Sequence, residues 1–536
     1  MRTRNHRVLF GPAGLAIWLA LGVAAFIWSG AAGAQRPLDR NLQGTLRDWK
    51  TLLENQRVAP YVVIGDSVSF RKDTWTWHLR PMLEARYGVA GDGYVAFNGS
   101  FGHEDDGTVN QRPGVALERS GNWAVTTSAS GSRSEYGERS VDGIYTRIGA
   151  HGWVEVRFYG PAATLHYIRE PGAGVIRIEV NGAWEADVDA SLPAGPPQLG
   201  TYTFMTGQED PNVLNVARFS LFGASTQNPQ WTQLNGLYMF TGNPGPLYSR
   251  LARGGVGPED FLRCDPTIFQ DTLAALDPAL VIVMLDRDNL PGYGAFLQAL
   301  VQRIEAAVPD AEILLMTHHH FASGRASDVD VMETLAISRG HGFLNIFHLH
   351  RDPAHVQSLG FLIDSVHLSG IGGNWYASRV YEAIHGWAQP ISLTIGQGVV
   401  VQEDIYGLRV TDDIPLQVRS DTPRSFAGLH RSIVRARFRT DVYQPQRIDI
   451  RYRARLDHHA GLFRVLLWNW RTSRFESVSH GRLNSSDETF TIRARNPADY
   501  VSPNGEIAVA VRQVVANPQS AFRFDTLIDE LRVRVR

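Results

Sequence analysis

The sequence predicts an α/β protein whose parallel sheet is covered by helices on both faces, a three-layer α/β/α arrangement. One β-sandwich is inserted into this domain and a second follows it at the C-terminus. Three observations carry this reading. Continuous apolar runs such as "YVVIG", "ALVIVML" and "AEILLM" alternate with amphipathic helical stretches at both ends of residues 35–390, and strands that are apolar throughout belong to sheets buried on both faces. Between them, residues 101–244 turn rich in Gly, Ser and Thr and alternate with period two. The same texture returns over residues 391–536.

The elements follow in order. "LQGTLRDWKTLLENQ" has apolar residues at helical spacing, and "PYVVIGDS" is a short buried strand. "DTWTWHLRPMLEARYG" is a helix that stops at Gly88. In the first β-rich region "WVEVRFYG", "ATLHYI" and "VIRIEVNG" are half-buried strands, and "VNGAW" carries an Asn-Gly hairpin signal. From residue 245 the α/β texture resumes. "PTIFQDTLAALDP", "GAFLQALVQRIEAAVP" and "RASDVDVMETLAISRG" are helices separated by apolar strands, with "HGFLNIF" strand-like and "GNWYASRVYEAIHGW" the last helix. The C-terminal region offers "IDIRYRARL", "FRVLLWNW" and "LIDELRVRVR" as strands, the last an amphipathic one with a solvated arginine face. The partition is therefore 1–34, 35–100, 101–244, 245–390 and 391–536.

With 536 residues, 43% hydrophobic and 20% charged, the chain has room for several cores. A formal net charge of −2 gives no electrostatic case for a nucleic-acid partner. Residues 1–34 place three arginines before "GLAIWLALGVAAFIW" and small residues at Ala32 and Ala34. That is the pattern of an export signal cut after Ala34, with an uncleaved membrane anchor as the alternative. Export, to a periplasm or beyond a cell, follows. The single cysteine, Cys264, cannot form an internal disulfide and reads as apolar filler.

Two segments carry chemistry. "VVIGDS" puts Ser67 at the carboxyl end of a strand, just before a helix, where sheets of this kind place their sites. The residue after Val68 is Ser69 rather than Gly, so this is not a G-x-S-x-G elbow. "FLIDSVHLSG" holds Asp364 and His367 three residues apart, so that one tight turn can carry both. Serine needs a base to take its proton, and histidine needs an acid to fix its tautomer. "THHHFASG" at 317–324 and "HEDD" at 103–106 contain metal-ligand residue types. Consecutive histidines point apart, so solvated loops are expected there and no metal or other cofactor.

Together "GDS" at 65–67 and "DSVH" at 364–367 resemble the SGNH (GDSL-type) hydrolases. The resemblance covers about 40–100 and 245–390. It implies Ser67 as nucleophile, His367 as base and Asp364 as its orienting acid. "LARGGVGPEDFL" resembles the family's second block and implies an oxyanion-binding amide at Gly257, with Gly255 the alternative. "DRDNL" stands where the family has Gly-x-Asn-Asp. Ungapped, the asparagine position falls on Asp288, a carboxylate that would repel an oxyanion; a one-residue shift places Asn289 there instead. The β module between first and second blocks resembles that of peptidoglycan O-acetylesterases, a carbohydrate-binding-like insert. The implied activity is removal of O-acetyl or other short acyl groups from a cell-wall or extracellular polysaccharide. The alternatives are transfer of the acyl group to a glycan with the same triad, and a glycan-binding or assembly protein with little activity.

Overall fold

A computed structural model describes residues 39–536 except 41, 72, 98–115, 121–122, 127–136, 209, 224–229, 286–290, 322–325, 403–404, 410–414, 422–427, 458–459 and 518–521. The leader read at 1–34 and the acidic "HEDD" stretch lie outside the described residues. Among those described, no helix is long and apolar enough to cross a membrane.

The α/β domain is built on a six-stranded sheet. Its spatial order is Asp39–Arg40, Gly342–Leu344, Glu312–Met316, Leu280–Met284, Val58–Gly65 and Gly245–Ala252. The last five are mutually parallel, and only Asp39–Arg40 runs antiparallel. Alternate residues of each strand enter different cores. Tyr61, Val63, Leu280, Ile282 and Met284 pack against Trp49, Trp75, Leu79, Tyr376 and Val380 from the helices Arg47–Glu54, Trp75–Tyr87 and Gly370–Ile384. Val62, Ile64, Val281 and Val283 pack against Ile268, Phe269, Leu297, Ile304 and Met332 from the helices Pro266–Leu276, Tyr293–Ala307 and Ala326–Arg339. Each central strand thus has two buried faces, which is why its sequence shows no alternation.

Val58–Gly65 is where the strand order reverses. The chain next enters the sheet on one side of it, at Gly245–Ala252, and then on the other, at Leu280–Met284. The carboxyl end of such a strand opens on a crevice, because the flanking connections leave in opposite directions.

The β-rich segment between these strands is a sandwich of two five-strand paths around one apolar core that includes Phe158, Leu165, Ile178, Phe204, Phe219 and Leu237. The Asn-Gly signal is a hairpin. Asn181 and Gly182 both have positive φ, 52° and 77°, and join Val175–Val180 to Ala183–Asp189. A right-twisted two-residue turn needs that backbone. The strand Gly93–Ala96, inside the stretch read as α/β, pairs with Thr232–Phe240 of this sandwich. Gly93 has φ of 64°, and a Cβ there would sit 1.6 Å from the Tyr248 carbonyl oxygen, so the chain passes tightly against the parallel sheet as it leaves it.

The C-terminal sandwich also has two sheets around one core. Its final strand, Asp525–Val535, differs from its sequence reading. The side chains of Arg532 and Arg534 are 1% and 15% exposed, not solvated. Arg532 pairs with Glu382 of the helix Gly370–Ile384, and Arg534 with Asp449 at 2.9 Å while lying over the Trp387 ring. Alternation alone cannot distinguish water from a neighbouring domain as the environment of a charged face.

Candidate active site

Ser67 opens the four-residue helix Ser67–Phe70 immediately after the strand Val58–Gly65. The turn is made by its neighbours. Asp66 caps the helix, its Oδ1 accepting from the Val68 amide at 2.9 Å. A Cβ on Gly65 would lie 2.5 Å from both Cβ and Oγ of Ser69 and 3.3 Å from the Met284 carbonyl oxygen, so only glycine fits. Ser69 is itself fixed by the Trp75 indole N–H, which donates to its Oγ at 3.2 Å.

His367 and Asp364 lie in the loop just before the helix Gly370–Ile384, whose first turn is capped by Ser369, its Oγ accepting from the Gly372 amide at 3.1 Å. The turn is self-contained: Asp364 Oδ1 accepts from the amides of Val366 and His367, each at 2.7 Å. Its Oδ2 stands 2.7 Å from His367 Nδ1, and His367 Nε2 stands 3.0 Å from Ser67 Oγ. Three residues separated by as many as 300 positions are thereby strung on two consecutive hydrogen bonds. Partial burial pushes the Asp364 carboxyl upward. The hydrogen bonds from the His367 amide, the His367 ring and the Val366 amide outweigh it and hold the carboxyl down to about 2. The acid is therefore ionised throughout the neutral range and matched to an N–H on Nδ1, which leaves Nε2 to accept the serine proton.

Behind the turn lies a second layer that the sequence did not signal. His318 and His319, expected in a solvated loop, are 3% and 0% exposed. They follow the strand Glu312–Met316, so they sit at the same sheet end as Ser67, in its floor. His318 Nε2 is 3.0 Å from Asp66 Oδ2. His319 is packed against Phe321 and the Val366 backbone; burial above all, then the neighbouring His318, lowers its pKa to about 3, so it is neutral. His320 stacks on Phe347 at 4.0 Å. Three consecutive aromatic, polar side chains at a strand end were the available clue, but their burial depends on the helix that covers them. Among the described residues no group of three or more His, Cys, Asp or Glu side chains could hold a metal ion. Cys264 is buried and in no disulfide.

The glycine block divides. Gly257 is the N-cap of the helix Pro258–Leu262, and its amide donates to Asp260 Oδ2 at 3.1 Å. That amide is engaged within its own cap. Gly255, with φ of 69°, makes the bend after the strand Gly245–Ala252. The glycine that faces Ser67 is Gly254: a Cβ there would be 3.7 Å from Ser67 Cβ. It is brought there because Ala252 pairs with Gly65 and the Arg253 amide donates to the Gly65 carbonyl at 3.2 Å, continuing the parallel ladder one residue further. Asp288 and Asn289 lie outside the described residues.

A parallel α/β sheet with a serine, an imidazole and a carboxylate in series at its switch point is an arrangement suited to nucleophilic acyl transfer. In fold the chain is similar to a solved peptidoglycan O-acetylesterase, at 15% identity over 66% of this chain and 98% of that one, with a TM-score of 0.50. A two-domain esterase active on acetylated mannans (12% identity, 54% and 80% coverage, TM-score 0.21) and a family two carbohydrate esterase from Clostridium thermocellum (13%, 45% and 93%, 0.23) superpose too poorly to carry an argument. No protein-family model matches the chain, and no curated protein does.

Proposed function

We propose that this protein is an exported serine esterase of the SGNH type that removes O-acetyl groups from a cell-wall or extracellular polysaccharide. The observation that carries the reading is the 3.0 Å and 2.7 Å chain from Ser67 Oγ through the His367 ring to Asp364. Ser67 Oγ attacks the ester carbonyl as His367 Nε2 takes its proton. In this reading the tetrahedral oxyanion forms at the start of the helix Ser67–Phe70, with the Ser67 amide as its first donor. The Gly254 amide, on the neighbouring strand end, is the second donor in this reading, in place of Gly257. His367 then protonates the departing sugar hydroxyl, and water, activated by the same ring, releases acetate. Asp364 stays ionised and holds the imidazolium without accepting its proton.

The likeness in fold to a peptidoglycan O-acetylesterase supports acetylated glycan as the substrate class, and the β-sandwich placed between Val58–Gly65 and Gly245–Ala252 supports a polymer over a small ester. The test is acetate release from a panel of acetylated glycans that includes cell-wall material, with Ser67→Ala as control. Release that survives in Ser67→Ala refutes the reading. Acetyl transfer to an added glycan in excess of acetate release makes the protein a transferase instead.

A further inference from the structure

The two sheets of the C-terminal sandwich treat their arginines differently. On the sheet containing Ile448–Leu456 and Asp525–Val535, each arginine row has acids. Asp449 accepts from Arg447 at 2.8 Å and Arg534 at 2.9 Å, Asp487 lies 3.3 Å and 3.0 Å from Arg453 and Arg455, and Glu530 lies 3.3 Å from Arg451. The other sheet carries Arg431 and Arg435 on the strand Leu429–Arg439, Arg512 on Glu506–Ala516, Arg464 on Gly461–Asn469 and Arg482 on Arg474–Leu483. All five lie on the face away from the core, since the residues between them, such as Ser432, Val434, Val511, Gln513, Phe463, Val465 and Leu483, are buried. Among the described residues none of the five has an ion pair. Two acids stand at the margins: Glu506, taken by Arg437 at 3.1 Å, and Asp421, which is bridged to Arg431 through the backbone.

Register makes the crowding specific. Arg464 is directly opposite Arg512, and His480 is directly opposite Arg464. Arg431 faces Val514 and Arg435 faces Ala510, so both are diagonal neighbours of Arg512. Burial lowers the Arg512 pKa first, and the charges of Arg431 and Arg464 lower it further. The Nε atoms of Arg431 and Arg512 are buried without a hydrogen-bond partner. Like charges directly opposite one another destabilise a sheet. A fold that pairs its arginines on one face and masses them unpaired on the other has a use for the unpaired ones. Next along the same face, Trp468 pairs across strands with Phe475, rings 5.2 Å apart, and the Arg435 guanidinium lies 5.7 Å over the Phe475 ring.

We propose that this face docks an acidic polysaccharide, a sugar polymer bearing carboxylates. Planar guanidinium groups match carboxylates in a two-pronged fit. Strands about 4.8 Å apart set the charges at short, regular intervals across the sheet face, as an extended polyanion requires. The aromatic pair at the edge offers ring faces to the apolar side of a sugar. A phosphate membrane surface or nucleic acid would use the charge alone.

The test is binding of full-length protein to polygalacturonate, which has no acetyl groups, at low and at raised ionic strength. Carrying it out in the Ser67→Ala background as well separates its failure from failure of the esterase reading. Wild type binds, the affinity falls with salt, and a neutral glucan is not held. Arg464→Gln with Arg512→Gln weakens binding by about tenfold or more and lowers the salt slope by about two. The same pair removes a like-charge contact, so its unfolding midpoint does not fall; Arg431→Gln with Arg435→Gln serves if it does. Absence of polygalacturonate binding at low salt, undiminished binding by both variants, or tighter binding to anionic vesicles or duplex DNA overturns the proposal.

Discussion

Replacing Asp364 by asparagine tests the site where its geometry is most demanding. Asp364 uses both oxygens: Oδ1 takes two backbone amides at 2.7 Å, and Oδ2 takes the His367 ring. Asparagine has one acceptor oxygen. Turning it toward the amides keeps two hydrogen bonds and presents NH2 to His367 Nδ1. Turning it toward the ring keeps one and sets NH2 against two N–H donors. The first arrangement wins by at least one hydrogen bond and avoids a donor clash, a difference of about 2–3 kcal/mol. In it, Nδ1 must accept, so the ring proton moves to Nε2, facing Ser67 Oγ, where a base is needed. Losing the carboxylate also removes its attraction for the imidazolium. At an effective dielectric of about 20 that is roughly 4 kcal/mol at 4 Å, and about half of it survives because the Asp364 side chain is 46% exposed.

The sum, about 4–5 kcal/mol on the barrier, is a loss of about 10³–10⁴ in kcat. Steady-state hydrolysis of an acetyl ester reads it directly, with stability measured in parallel. Because the side chain is half exposed and the amides keep their acceptor, Asp364→Asn should lower the urea midpoint only modestly, far less than it lowers kcat. A variant within tenfold of wild type would show that His367 does not depend on Asp364 for its tautomer, and the reasoning fails at its first step.

Gly65→Ala forces a methyl group into 2.5 Å contact with Ser69 and should cost about 1–3 kcal/mol of stability together with a disproportionate fall in kcat, read by urea unfolding and turnover on the same preparation; unchanged kcat would mean the turn is not set by that contact. Arg80→Met strands the Asp92 carboxylate, whose side chain is 0% exposed and which Arg80 holds at 2.8 Å, and should cost about 3–5 kcal/mol; adding Asp92→Asn should restore part of it, and a single-variant cost below about 1 kcal/mol refutes the pairing. For pH, the folded Asp364 carboxyl at about 2 lies below its ordinary 3.8, so its contribution is present above about 4 and is lost as pH falls through about 2. The stability difference between wild type and Asp364→Asn should therefore be constant from neutral pH to about pH 5 and shrink only in stronger acid. A difference that disappears near pH 6 would place the relevant titration elsewhere.

The parallel sheet was legible because its signal is local: a strand buried on both faces must be apolar throughout, and "VVIG" and "LVIVM" are. Ser67, Asp364 and His367 were legible for a related reason. Each sits in a short segment whose own turn chemistry, a cap at Asp66 and a doubly bonded Asp364, fixes its direction before any distant contact forms. Gly254 was not legible, since a run with glycines at 254, 255 and 257 offers three candidates. Only the register of Ala252 against Gly65 says which one meets Ser67. His319 and Arg532 failed for one shared reason: polar residues at a strand end or on an alternating strand look solvated until a covering element is known, here Val366 and its loop in one case and Glu382 in the other.

That same pattern of cover explains how the site keeps its geometry while its reacting groups remain open. Asp364 and the His367 ring are partly exposed, as groups that meet a polymer must be, and exposed hydrogen bonds are individually weak. The rigidity comes from beneath. Asp66, Ser69, His318 and His319 are all under 6% exposed and tie the Ser67 turn to the ends of two strands and to Trp75. Val366, between Asp364 and His367, touches His319 from above. Nucleophile and base are thus anchored to one buried polar layer from opposite sides, so the 3.0 Å gap between them is set by packed groups that water does not reach. A substitution in that layer, such as His318→Ala, should lower kcat more than it raises KM, because it moves Ser67 against His367 without touching substrate.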